Sequence, residues 1–405
     1  MKKTLYVSIA IAALLLIAFF TWFFIGRDKT IPAGEAIADL LPFGSGENLG
    51  SGEGTEVELT SEEIDSKIFD ESGIPVSDLF RISDVPVAGT VTFARAGQSI
   101  VRYVDRATGH VYEVALPQGE AVAPIEKKKI TNNTLPKIYE AYFRPDGNSV
   151  LLRMLDESET QRNITLNLAA TSSAAVNMRG DIGSVAVGQG NTLFFLDKSS
   201  KTISSAPFGG SPVRTILNSP FTDWQLESAG SNLIIYTKAS AATPGYAYTL
   251  NAASGSLGKI LGPLRALAVM PDASGTWVFY SYNDGPVRSA GKNLRTGAEA
   301  GTSPATLAEK CVWSGKKAGI LFCGAPVDDI GGAEPDSWYR GGTNFSDRLW
   351  KFDLNQEIAQ VLSEPSSAFG IDLDVIKPLL SPSEDYLIFI NKRDMTLWAF
   401  RLPEV

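Results

Sequence analysis

Phe143-Arg144-Pro145-Asp146-Gly147-Asn148, followed by SVLLRML (149–155), holds the unit from which most of the chain is built: a tight turn, then a strand that is mostly apolar. Proline presets φ for the turn, aspartate caps it, and glycine takes a positive φ. Met270-Pro271-Asp272-Ala273-Ser274-Gly275 before TWVFYSY (276–282) is a second copy. Leu380-Ser381-Pro382-Ser383-Glu384-Asp385 before YLIFI (386–390) is a third. Similar strand cores recur as SIVRYV (99–104), TLFFLD (192–197), NLIIYTK (232–238) and GILFC (319–323). With Ile100, Val150, Leu193, Leu233, Trp277, Ile320 and Leu387 as anchors, the spacings are 50, 43, 40, 44, 43 and 67 residues. A period near 43 residues is the length of a four-stranded propeller blade. No long helical periodicity interrupts the series.

Seven anchors predict an all-β, seven-bladed β-propeller over residues 79–405. Third strands include HVYEVAL (110–116), NITLNLA (163–169), YAYTLN (246–251), RLWKFDL (348–354) and TLWAFRL (396–402). The last blade ends after its third strand. Leu79-Phe80-Arg81-Ile82-Ser83 precedes the first blade and is the expected fourth strand of the last, closing the ring and hiding an open edge.

The turns and the Ser-Pro-Ser-Glu-Asp-Tyr-Leu-Ile-Phe stretch (381–389) resemble the TolB-like, WD-repeat-like family of β-propellers. The resemblance covers about 79–405 and rests on three well-matched turns. It implies a ring that binds other proteins in a bacterial cell envelope. The chain departs from TolB in having no room for an N-terminal α/β domain and in an apolar N-terminal segment, so TolB's own partners do not carry over. The resemblance points to a membrane-anchored variant.

That segment, Leu5 to Gly26, holds no charge. At 1.5 Å per residue it reaches about 33 Å, enough to cross the hydrocarbon core. A cleaved signal peptide would carry an apolar region of about 7–15 residues and an A-x-A-like site. The longer run, with no such site after it, predicts an uncleaved signal anchor over residues 1–30. The expectation is a single-pass membrane protein with a cytoplasmic N-terminus and an extracytoplasmic ring. Residues 31–78 hold twelve carboxylates and one lysine, and their FGSGENLGSGEG stretch reads as an acidic, flexible linker. Thr60-Ser61-Glu62-Glu63 has the pattern of a capping box ahead of a short helix.

The net charge of −9 therefore belongs to the linker: residues 79–405 carry 31 basic and 32 acidic side chains. Without a strong basic excess, no nucleic-acid partner is expected. A single histidine, His110, and two cysteines exclude multi-histidine metal sites and four-thiolate clusters. No cofactor or metal is expected. No G-x-S-x-G, G-x-x-x-x-G-K-[ST] or C-x-x-C motif occurs, so binding is expected and not catalysis.

The long interval before the last blade contains one insertion, Gly324 to Asp347. Its Asp328, Asp329, Asp336, Trp338, Tyr339 and Arg340 are the candidate binding residues, because Trp, Tyr and Arg dominate binding hot spots. Two readings stay open: a loop presented to a partner, or a loop folded over the ring with Trp338 buried. Its carboxylates lack the spacing of a calcium loop. Cys311 and Cys323 flank a hairpin centred on Lys317, which sets them opposite each other on neighbouring strands. They are either a disulfide, as an oxidising compartment allows, or two buried thiols. The expected function is a membrane-tethered scaffold that binds an envelope protein, the ring itself being monomeric. The alternative is a carbohydrate-binding or carboxylate-dependent glycan-acting propeller.

Overall fold

The computed structural model describes residues 60–118, 123–132, 134–169, 175–178 and 180–403. The expected membrane segment and most of the acidic linker lie outside them. Among the described residues no helix is long and apolar enough to cross a membrane.

The described chain is mostly antiparallel β-sheet. β1 is Leu79–Ser83. Sheets of four strands follow in chain order. The first holds β2 (Val87–Arg95), β3 (Gln98–Asp105), β4 (Val111–Ala115) and β5 (Lys128–Lys129). The second holds β6 (Ile138–Phe143), β7 (Ser149–Leu155), β8 (Gln161–Asn167) and β9 (Ala175–Met178). The third holds β10 (Ile182–Val187), β11 (Thr192–Asp197), β12 (Thr202–Pro207) and β13 (Arg214–Asn218).

A seven-stranded sheet comes next, made of β14 (Trp224–Ala229), β15 (Asn232–Thr237), β16 (Pro244–Asn251), β17 (Leu257–Pro271), β18 (Trp277–Asn283), β19 (Val287–Asn293) and β20 (Glu299–Gly301). It is two meanders joined by one strand. The first half of β17 pairs with β16, from Leu250↔Leu257 to Pro244↔Arg265; the second half pairs with β18, from Arg265↔Asn283 to Pro271↔Val278. Then come β21 (Cys311–Trp313), β22 (Ile320–Pro326), β23 (Asp347–Asp353) and β24 (Ile358–Ser363). β25 (Val375–Leu380), β26 (Tyr386–Asn391) and β27 (Leu397–Arg401) complete the chain.

First strands of successive sheets pack side by side: β2 on β6, β10 on β14, β14 and β21 on β17, and β21 on β25. β25 returns to β2, so the sheets close into a ring. β1 supplies the missing fourth strand, pairing antiparallel with β27 through Leu79↔Phe400, Phe80↔Ala399 and Arg81↔Trp398. All five residues of β1 are buried.

The turns behave as their residues dictate. Asp146 Oδ1 accepts from Asn148 N at 2.9 Å, and Arg144 grips both Asp146 oxygens at 2.7 Å. Asp272 Oδ1 accepts from Thr276 N at 2.7 Å and Trp277 N at 2.9 Å. Gly147 has φ +72°, and a Cβ there would lie 2.4 Å from the Phe93 ring, so this position requires glycine twice over.

The stretch expected as linker is partly folded. Helix α1 (Ser61–Ile68) starts at the capping box, with Thr60 and Glu63 bonding each other's backbone N–H. It lies on the ring because one face is apolar: Ile68 is buried among Leu79, Trp398 and Phe400. Asp65 pairs with Arg81 at 2.7 Å, and Lys67 Nζ donates to Phe369 O at 2.6 Å. A flexible tether over all of residues 31–78 is thus corrected: from Thr60 onward the chain belongs to the folded body.

Cys311 and Cys323 are register partners on β21 and β22, joined with their Cα atoms 4.1 Å apart.

Candidate functional site

The insertion is shorter than expected and is not structureless. Gly324–Pro326 extend β22 and Asp347 opens β23, which leaves residues 327–346. They contain helix α2 (Asp336–Tyr339). The connection lies on the face that carries the β26–β27 turn. Lys392 Nζ donates to Thr343 O at 3.2 Å and Asn344 Oδ1 at 3.3 Å. Elsewhere Asp336 Oδ2 accepts from Ala241 N at 2.6 Å, and Asn283 Nδ2 donates to Gly332 O. The insertion therefore reaches the connections after β15, β18 and β26, and caps this side of the ring. β1 begins at the opposite face, beside the β25–β26 turn: Leu79 and Leu387 share the partner Phe400.

The cap is held from below by a buried cation. Lys310 Nζ, fully buried, is 2.7 Å from Asp347 Oδ2 and also contacts Asp374 Oδ1, both carboxylates being fully buried. It faces the rings of Trp338 at 5.1 Å and Phe345 at 4.9 Å, a desolvated cation–π arrangement. Trp338 Nε1 donates to Asp374 Oδ2 at 2.9 Å, and Phe345 N donates to the same oxygen at 3.1 Å. Val375 N donates to Asp347 Oδ2 at 2.7 Å, whereas Asp347 Oδ1 has no hydrogen-bond partner. Burial lifts the Asp347 carboxyl to about 6; Lys310 opposes this and Asp374 adds to it. Burial alone would weaken the Lys310 ammonium, but the two carboxylates hold it charged and raise it above its ordinary value. The more open Lys392 is lowered, chiefly by burial, with Lys310 also pushing it down.

A second cluster lies behind α2. Tyr339 O–H donates to Glu309 Oε1, and Glu309 Oε2 has no partner. Burial raises the Glu309 carboxyl, the tyrosine bond notwithstanding. Glu227 on β14 is raised to about 8, first by burial and then by the Glu309 charge. Glu227 thus keeps its proton well above the usual carboxylate range, because a second buried charge beside Glu309 is unfavourable.

Glu227 carries a prediction. Its folded value lies above the ordinary glutamate value of 4.5, so the folded chain keeps this proton longer than the unfolded chain. The resulting stabilisation is complete below about 4.5 and is lost as pH rises through about 8. Glu227→Gln keeps the shape and removes the ionisation. Thermal melts of variant and parent should coincide at pH 5 and separate at pH 8–9, the variant melting higher. Each ~1 kcal/mol is worth about 2–4 °C. Equal melts at both pH values would contradict the assignment.

The six candidate binding residues separate by position. Asp328, Asp329 and Arg340 are exposed on the cap. Asp336 and Tyr339 are half-buried and tie the cap down. Trp338, at 3% exposure, is a pillar of the cap and offers no surface to a partner. Lys310, Asp347, Asp374, Glu309 and Glu227 were not singled out by sequence; they lie on separate segments, apart from the adjacent Glu309 and Lys310, and only the closed ring brings them together. His110 is half-buried, with Nε2 3.4 Å from Thr134 Oγ1 and its ring edge-on to Tyr112.

No protein-family model matches the chain, and no curated protein sequence matches it. Solved structures do. A chain of the mitotic checkpoint complex aligns with TM-score 0.52 and 11% identity, covering 80% of this chain and 95% of that one. Streptogramin B lyase aligns with TM-score 0.51 and 10% identity, over 80% of this chain and 97% of that one. TolB from Acinetobacter baumannii aligns with TM-score 0.43 and 12% identity, over 77% of this chain and 66% of that one. At these identities the likeness is one of fold: the described chain is a β-propeller.

Proposed function

We propose that the chain is a seven-bladed propeller that serves as a binding scaffold, tethered to a membrane by residues 5–26 with the ring outside the cytoplasm. Dividing the long sheet within β17 and adding β1 to the last sheet supports the sevenfold count. The observation that carries the function is the anchored cap. A connection latched at three places and on a buried cation presents Asp328, Asp329 and Arg340 in fixed positions, and among the described residues none of these three spends its side chain on the ring. Prearranged charges on a rigid element lower the ordering cost of binding a partner. The chemistry fits an envelope protein with a basic patch to meet the aspartates. A glycan stacking on this loop is disfavoured, because Trp338 is already covered.

The test is in-cell photo-cross-linking of the full-length chain, with the photoreactive residue at Asp328 or Arg340 and a control at Glu357 on the β23–β24 turn. Discrete adducts from the cap positions that are absent from the control support the reading. Identical adduct patterns from cap and control sink it.

A further inference from the structure

A cavity of about 530 Å³ lies between the first half of β17 and the sheet of β18 to β20. It exists because β17 serves two meanders. Gly262, at φ +101°, turns the strand ahead of Pro263, and the pairing register shifts on both sides of it. The two sheets diverge there and leave a wedge.

The wedge is not lined as a packing defect would be. Tyr280 and Tyr282 stand side by side on β18, with ring centroids 5.7 Å apart and planes 23° apart. Beyond them Lys292 Nζ and Glu299 Oε1 are 2.8 Å apart, an ammonium donor beside a carboxylate acceptor. Burial pushes the Tyr280 hydroxyl up to about 12, and the nearby Glu299 charge reinforces this, so it stays a donor at any physiological pH. On the other wall Lys259 sits over the Tyr246 ring at 4.8 Å and has no carboxylate partner among the described residues. Pro263 on the same wall has no N–H to offer.

The geometry points to a binding site for an acidic saccharide. A pyranose has an apolar C–H face and a polar rim. Tyr282, half-buried, supplies a face for the first. The Lys292–Glu299 pair supplies adjacent donor and acceptor for two neighbouring hydroxyls. Lys259 supplies the uncompensated positive charge that a sugar carboxylate requires. The volume lies in the range of small-molecule sites. These residues are distinct from those of the cap, and the inference does not rest on the scaffold reading.

The test is calorimetric titration of the full-length chain in mild detergent with cellobiouronate, cellobiose and acetate. Cellobiouronate should bind at least tenfold more tightly than cellobiose. Lys259→Met should abolish that preference and leave cellobiose binding unchanged. Tyr282→Ala should weaken both sugars about tenfold, while Tyr282→Phe keeps the ring and stays within threefold of the parent, which separates lost stacking from lost fold. The proposal is overturned if neither sugar binds the parent chain, if acetate competes as well as cellobiouronate, or if Lys259→Met retains the full preference.

Discussion

Replacing Lys310 by methionine should destabilise the ring by about 3–5 kcal/mol, the cost of leaving a buried charge without its partner. Asp347 and Asp374 would remain fully buried with no cation between them. Backbone N–H groups and the Trp338 indole would still reach them, but these donors do not neutralise two carboxylates. At about 2–4 °C per kcal/mol, the melting temperature should fall by about 10 °C. The deficit should shrink in acid. Asp347 already holds its proton up to about 6, against 3.8 for an ordinary aspartate, so the folded form gains relative stability as pH falls through that window. The triple variant Lys310→Met, Asp347→Asn, Asp374→Asn removes all three charges and should recover most of the loss. Limited proteolysis gives an independent readout: cleavage within residues 327–346 should accelerate in the single variant and return towards the parent rate in the triple. A single variant as stable and as resistant as the parent would show that the cation does not hold the cap.

The second large effect concerns ring closure. Phe80 on β1 is fully buried among Val101, Tyr103 and Leu397, and lies edge-on to Tyr386 with centroids 5.9 Å apart. Phe80→Ala should cost about 3–5 kcal/mol through lost burial and the cavity left behind. Hydrogen exchange should localise the damage: amides of β27 should exchange faster, while those of β11 and β12, remote in the ring, should change least. Ile358→Ala on the exposed edge strand β24 is the control, expected within about 0.5 kcal/mol of the parent. A Phe80→Ala loss no larger than that of the control would mean that β1 does not close the ring.

Much of the fold was legible because each sheet repeats the same local physics. Pro-Asp-Gly turns and buried second strands such as Leu151–Leu152 and Ile234–Ile235 are local signals. The closing strand was legible because the last sheet lacked a fourth. The long β17 was not, since nothing local distinguishes a strand that leaves one sheet from a strand that enters the next. The folded start at Thr60 was visible as a capping box, but the docking of Ile68 depends on a groove formed by Trp398 and Phe400, more than 300 residues away. The cap was found by its length, and of the two readings left open for its tryptophan the structure shows the buried one. Trp338 reads as a hot-spot residue until the partner of its indole N–H, Asp374, is known. Lys310 lies in Ala-Glu-Lys-Cys, where nothing marks it as buried.

The order in which α1 and β1 follow one another has a mechanical consequence. Tension entering from the N-terminal side would meet α1 first, held by buried Ile68, by Ile64 and Phe69 packed on the same cluster, by the Asp65–Arg81 pair and by the Lys67 hydrogen bond. Only after that helix peels away does the load reach Leu79. A pull along the β1 axis would load the bonds to β27 together in shear and would not open them one at a time. A helix so placed would act as a fuse ahead of the seam, giving way under a load before the ring opens.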